Sequence, residues 1–199
     1  MKIVLASNNR GKLAELQAMF APLGVELICQ GDLFEGEAPE PYGTFVENAL
    51  SKARFAAEKT GLPAIADDAG MCVDHFGGLP GVDTAYYCTQ FGYEKNDENN
   101  VRALLEQMQG VENRRAAMVS TLVGVRSPKD PEPLIAVGRV QAQLTTERRG
   151  SNGFGFDPVL LIPELGMTFA EMTPEVKHAH SHRGIASRKM ITMVKERWL

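Results

Sequence analysis

Five stretches of this chain gather residue types that can do chemistry together. The first is Ser7-Asn8-Asn9-Arg10-Gly11-Lys12, which follows the apolar run Ile3 to Ala6 and leads into a helical pattern. A strand-to-helix turn leaves backbone N–H groups unpaired at the helix start, and these attract anions. Lys12 adds a full positive charge in the first turn. The stretch is not a GxxxxGK[ST] phosphate loop, because the first Gly and the final Ser or Thr are both missing. The plain alternative is a capped turn with an exposed lysine.

The second stretch is Asp67-Asp68-Ala69-Gly70, placed directly after Ala64-Ile65-Ala66. Successive strand residues point to opposite faces, so the two carboxylates are expected to do different work. One can hold a hard cation such as Mg²⁺, which takes one or two carboxylates plus substrate phosphates. The other can orient the loop or a lysine. Glu40, in a Pro-rich loop, is the candidate second ligand. An acid-rich turn at a strand end is the alternative.

Helical spacing puts Asn48 and Lys52 on one face, so Lys52 can point at the same anion or simply be solvated. In Gly153-Phe154-Gly155-Phe156-Asp157-Pro158, Phe154 can stack on a base and Asp157 can accept hydrogen bonds from a sugar or base. A tight turn with core aromatics is the competing account. Lys177-His178-Ala179-His180-Ser181-His182-Arg183 is dense in donors. Its alternating histidines have no Cys nearby to complete a zinc site. A donor cluster facing an oxo-base or a phosphate fits better, with His178 and His180 as surface residues.

These residues need elements to position them. Lys2 to Ser7 and Val25 to Cys29 read as strands, and Arg10 to Phe20 as a helix with Leu13, Leu16 and Phe20 at helical spacing. A helix is expected from Thr44 to Thr60, with Thr44 and Glu47 as a capping box and Gly61-Leu62-Pro63 as its stop. Ala64-Ile65-Ala66 is a short buried strand ending at the aspartates. Gly77 to Tyr87 is a Gly-rich turn region, and Asn96 to Met108 a helix. Ala116 to Arg126 and Leu134 to Thr145 are long strands joined by a Pro-rich turn. Val159 to Ile162 is a strand, and Gly184 to Trp198 a helix. The order β-α-β-α-β, hairpin, helix predicts an α/β core with a mixed sheet.

The 199 residues are 44% hydrophobic and 23% charged, enough for a packed core and too apolar for disorder. No apolar run approaches the roughly 20 residues of a membrane span, and Ile3 to Ala6 is too short for a signal-peptide core. Cys29, Cys72 and Cys88 form no CxxC and read as free thiols, so a cytoplasmic protein is expected. The net charge of −4, with no long basic run, argues against nucleic acid as a partner. A polyanionic ligand would need local positive charge helped by a metal.

Taken together, "ASNNRGK", "TFVENALSKA", "LPAIADDAG", "GGLPG", "GFGFDP" and "SHRG" occur in an order that covers nearly the whole chain. In this the chain resembles the inosine/xanthosine triphosphate pyrophosphatases. The resemblance implies one pyrophosphatase domain over 1–199. It implies an elongated mixed α/β sheet flanked by helices, with two lobes, the active site in the cleft between them, and a homodimer. It also implies Mg²⁺-dependent cleavage of ITP, dITP or XTP to the monophosphate and pyrophosphate, cleansing the nucleotide pool.

By that likeness Ser7, Asn8, Asn9, Arg10, Gly11, Lys12 and Lys52 hold phosphates. Glu40 and Asp68 hold the metal, and Asp68 is the base for the attacking water. Phe154, Gly155, Phe156, Asp157, Lys177, His182 and Arg183 hold the base and sugar. Ala69 stands where the family often has Ser, which leaves only a backbone contact. Phe156 stands where it often has Tyr, which removes one hydroxyl. A sister family acting on modified pyrimidine nucleotides lacks the "SHRG" ending. A non-catalytic nucleotide-binding regulator would not need the aspartate pair.

Overall fold

Val4 packs on one side of its strand and Ile3 and Leu5 on the other, and helices cover both sides. The computed structural model describes residues 1–199. Its sheet has seven strands in the order β2-β1-β3-β4-β5-β6-β7. They are β1 (Lys2–Leu5), β2 (Glu26–Cys29), β3 (Ala64–Val73), β4 (Arg115–Val125), β5 (Leu134–Leu144), β6 (Leu160–Ile162) and β7 (Met167–Thr168). β1 pairs in parallel with β2 and β3, while β5–β6 and β6–β7 are antiparallel, so the sheet is mixed as expected. The helices are α1 (Arg10–Phe20), α2 (Phe45–Thr60), α3 (Asp97–Gln107), α4 (Pro174–His180) and α5 (His182–Arg197).

The chain divides into two compact units. Unit 1 holds Met1–Asp68, Ser120–Gly138 and Ile185–Leu199, and unit 2 holds Ala69–Val119 and Arg139–Gly184. In unit 1 the sheet has a core on each face. Leu16 and Phe20 of α1 and Ala186, Met190 and Val194 of α5 pack with Ile3, Leu5 and Ile65. On the other face Ala49, Ala53, Ala56 and Ala57 of α2 lie against Val4, Ala6, Ala64 and Ala66. Small residues on both sides let α2 sit close to the sheet. α2 starts at Thr44, whose hydroxyl accepts the Glu47 N–H (3.4 Å) and donates to the Glu47 carboxylate (2.5 Å). It ends at Gly61, whose φ of 67° a side chain would strain. Past α5, the Trp198 ring lies on Gly124 of β4, where a Cβ would come within 3.0 Å of it.

In unit 2, Asn96 caps α3 by accepting the Asn99 N–H at 2.7 Å. Asn100 on that helix ties down the 3-10 stretch Gly81–Phe91, accepting from Cys88 N (2.9 Å) and donating to Ala85 O (3.1 Å). Leu104, Met108, Val159, Leu160 and Phe169 fill the core around them.

One expectation needs correction. The strand expected to stop at Ala66 runs on to Val73, through both aspartates. It continues because Asp67, whose side chain is 1% exposed, is neutralised by Lys12 and hydrogen-bonded by Ser120 rather than turned to solvent. The sequence assigns no element to the donor-rich segment before Gly184. It forms α4, with Thr173 accepting the Val176 N–H and Pro174 in the first turn, and the last helix begins at His182.

Candidate active site

The loop after β1 is held by its own side chains. Ser7 Oγ accepts the Asn9 N–H at 3.1 Å, and Asn9 Oδ1 caps α1 by accepting the Lys12 N–H at 3.1 Å. Gly11 keeps that cap open, since a Cβ there would lie 3.2 Å from Asn9 Oδ1. Arg10 forms a two-pronged pair with Asp32, at 2.9 and 2.5 Å. Lys12 runs inward instead, and its Nζ lies 2.8 Å from Asp67 Oδ2. Ser120 Oγ, fully buried on β4, donates to the other Asp67 oxygen at 2.7 Å.

Asp68 points elsewhere. Its Oδ1 is 3.1 Å from Lys52 Nζ, and the same ammonium pairs with Glu40. Asp68 Oδ2 is buried and has no hydrogen-bond partner. Burial pushes the Asp68 carboxyl upward, against the pull of Lys52, and Glu40 and Asp67 add repulsion. Burial works against the Lys52 ammonium, but Asp68 and Glu40 outweigh it and hold Lys52 above the ordinary lysine value. The Glu40 loop is fastened to α2. Asn48, itself buried, bonds both the N–H and the C=O of Tyr42, at 3.1 and 3.0 Å, and Ser51 Oγ donates to Pro39 O at 2.9 Å.

A cavity of about 170 Å³ in unit 1 is lined by Ser7, Asn8, Lys12, Glu40, Lys52 and Asp67 among others. A wider recess of about 600 Å³, bounded by Tyr42, Arg54, Phe55 and Lys129, has more room but no lysine–carboxylate network. Chemistry rather than volume singles out the smaller one. No group of three or more His, Cys, Asp or Glu side chains is placed to hold a metal. Two hard carboxylates with a buried unpartnered oxygen suit Mg²⁺, which draws its remaining ligands from water and phosphate.

In unit 2, Asp157 organises the Gly-rich loop. Its Oδ2 accepts the Phe154 N–H at 3.0 Å and lies 2.5 Å from Lys177 Nζ. A Cβ at Gly153 (φ 77°) would sit 2.0 Å from that oxygen, so the loop requires glycine there. Gly155 N–H donates to Asp97 at the start of α3, at 2.8 Å. Phe154 is 51% exposed, with Lys177 Nζ 4.6 Å from its ring centre and the Arg183 guanidinium 6.0 Å away. His182 is buried against Phe169, and Ser181 Oγ accepts the Gly184 N–H at 3.0 Å.

Residues 3–193 match the Ham1 family. The chain belongs to the Ham1 family. Ham1-related chains of the same length include the dITP/XTP pyrophosphatase of Delftia acidovorans, 84% identical with both chains covered completely. The protein of that name from Paracidovorax citrulli is 73% identical over 198 residues, again covering both chains. Among solved structures, a HAM1 protein from Coxiella burnetii is 37% identical, with a TM-score of 0.93 over 98% of this chain and 99% of that one. The Staphylococcus aureus Ham1 protein is 32% identical with a TM-score of 0.89 and the same coverage.

Of the residues expected in the Ham1 site, Ser7, Asn8, Lys12, Glu40, Lys52 and Asp68 gather around the carboxylate network or its cavity in unit 1. Phe154, Asp157, Lys177 and Arg183 gather in unit 2. Three side chains are already committed elsewhere. Asn9 is a helix cap, Arg10 is paired with Asp32, and Phe156 is a core residue, 4% exposed and edge-on to Tyr87. Phe156 therefore offers a ligand only its backbone. Ala69 is half-buried on β3 with a methyl group and no polar side-chain atom. Sequence reasoning missed Ser120 and the loop-fastening role of Asn48. The signal for Ser120 was a hydroxyl inside the apolar run Ala116 to Val125.

Proposed function

We propose that this chain is a Mg²⁺-dependent pyrophosphatase. It hydrolyses non-standard purine nucleoside triphosphates (ITP, dITP and XTP) to the monophosphate and pyrophosphate. Family membership and the shared name of its relatives support the substrate class. The observation that carries the chemistry is Lys52 held between Glu40 and Asp68, with the second Asp68 oxygen buried and open.

Lys12 and Lys52 meet the phosphates and offset their charge. Glu40 and Asp68 would hold the metal, which supplies charge stabilisation for the phosphates. Asp68 takes the proton from the attacking water as the bond between the α- and β-phosphates breaks. Burial raises the proton affinity of that carboxyl, as a base requires. The chain's overall negative charge then reflects acids set against local cations, not a nucleic-acid surface.

Phe154 provides a stacking face for any purine. Selection falls to donors: Lys177, Arg183 and nearby N–H groups satisfy the oxygen at C6 of hypoxanthine and xanthine. The adenine amino group would oppose them, at about 1–3 kcal/mol per unpaired buried group. Removing such nucleotides would keep them out of DNA and RNA. On the same family likeness we propose a cytoplasmic homodimer, for which light scattering is the check.

The test is kcat/KM for ITP, XTP, GTP and ATP with Mg²⁺ under one set of conditions, read by pyrophosphate release. ITP and XTP should exceed ATP by about a thousandfold, whereas rejection of GTP, which keeps the C6 oxygen, requires its 2-amino group to clash or find no acceptor. ATP within about tenfold of ITP would overturn the selectivity. No pyrophosphate from any of the four would overturn the hydrolase assignment.

A further inference from the structure

Asp67 is a carboxylate in the wrong place unless it has work to do. Its side chain is 1% exposed in a strand whose other residues, Asp68 apart, carry no charge, and burying an ionised carboxylate without partners is costly. The structure partners both oxygens. Lys12 Nζ lies 2.8 Å from Oδ2, and the Ser120 hydroxyl donates to Oδ1 at 2.7 Å. Ser120 comes from β4, fifty-three residues away, and is fully buried. Nothing in the proposed chemistry uses it.

Lys12 itself has a 20% exposed side chain, so its stem is largely enclosed while its ammonium lines the cavity. A lysine stem carries rotamer freedom that binding an anion must freeze. Asp67 has already frozen it. The ammonium has three N–H donors and Asp67 occupies one side of it, which leaves donors for a phosphate oxygen.

We infer that Ser120 is a positioning residue: its hydroxyl fixes the Asp67 carboxylate, and Asp67 in turn sets the Lys12 ammonium for the triphosphate. Ser120 touches no substrate and acts only through these two side chains. The inference rests on the assignment of Lys12 to the phosphates. It gives Asp67 a role distinct from that of Asp68, whose second oxygen is open where those of Asp67 are engaged.

The test is a double-mutant cycle in steady-state ITP hydrolysis with Mg²⁺, using Ser120→Ala, Lys12→Ala and the pair. Ser120→Ala should raise KM about three- to tenfold, the effect of one hydrogen bond to a charged group felt at second hand. Ser120→Cys keeps the volume but loses the strong donor, so it should behave like Ala. Ser120→Thr keeps the hydroxyl and should restore KM. In the Lys12→Ala background, Ser120→Ala should change KM less than about twofold, because the group it positions is gone. A Ser120→Ala effect of equal size in both backgrounds would mean a purely structural role and overturn the inference. So would an unchanged KM in Ser120→Ala alone. If Lys12→Ala itself leaves KM unchanged, the phosphate assignment fails first and the inference falls with it. A raised KM in Lys12→Ala with additive effects sinks the inference alone.

Discussion

Asp67 and Asp68 are neighbours on β3, yet their carboxylates go to different lysines: Asp67 to Lys12 at 2.8 Å and Asp68 to Lys52 at 3.1 Å. The pleat of the strand sends adjacent side chains to opposite faces. One carboxylate is closed off by partners, and the other keeps a buried oxygen unused. The division of labour follows from that difference.

Asp68→Asn should keep the fold and lose at least about a hundredfold in kcat, the lower end for removing a general base. The replacement has the same shape but cannot take a proton. Asp67→Asn should instead act mainly on KM, since it loosens Lys12. Thermal melts alongside kinetics check both, and near-normal turnover in Asp68→Asn would place the base elsewhere.

Pyrophosphate release should stop in excess EDTA and return when Mg²⁺ is added back. Glu40→Gln should shift the Mg²⁺ concentration needed for half-maximal rate upward by about tenfold or more, because one of two charged ligands is gone. A Mg²⁺ titration of the two proteins reads this directly, and full turnover in EDTA would remove the metal from the scheme.

Phe154→Ala should raise KM for every purine triphosphate by a similar factor. Stacking of a base on an aromatic ring is worth about 1–3 kcal/mol and does not depend strongly on which base it is. The ratio of kcat/KM for ITP over ATP should therefore stay within about threefold of the parent. A collapse of that ratio would make Phe154 a selector rather than a platform.

Asp130 sets a local acid limit on unit 1. It is 3% exposed and accepts from the Arg126 side chain at 3.0 Å, from Arg126 N at 2.8 Å and from Glu132 N at 3.0 Å. These donors, the Arg126 side chain foremost, hold its carboxyl well below the usual aspartate range. A depressed acid stabilises fully above its unfolded value and loses that contribution as pH falls below about 4. Asp130→Asn should cost about 2 kcal/mol at pH 7, roughly 4–8 °C of Tm, and less at pH 3. Melting both proteins from pH 7 to pH 3 checks the convergence.

Much of the fold was legible because it is written locally. α1 follows from Leu16 and Phe20 at helical spacing and its Asn9 cap, and α2 from Thr44, Glu47 and Gly61. The length of β3 was not, because the partners that let Asp67 stay in a strand lie at positions 12 and 120. No window along the chain contains both. Two phenylalanines two residues apart look equivalent in sequence, yet Phe154 is exposed and Phe156 buried. Gly153 and Gly155, both at positive φ, turn the backbone between them and break any regular alternation. α4 was announced by Thr173-Pro174, but the histidines that follow drew the reading toward ligand chemistry.

Trp198 resting on Gly124 has a consequence for how the protein is made. One face of the unit 1 core begins at Ile3 and is closed by Ala186, Met190, Val194 and that indole, all of which follow unit 2 in the chain. Every residue of unit 2 has been synthesised by then. The lysines and aspartates of unit 1 therefore wait for the last helix before their scaffold is finished. Contacts this distant along the chain close slowly. A chain cut short by its final helix would present the bare flank of its own sheet to the cell, and quality control would meet it before substrate did.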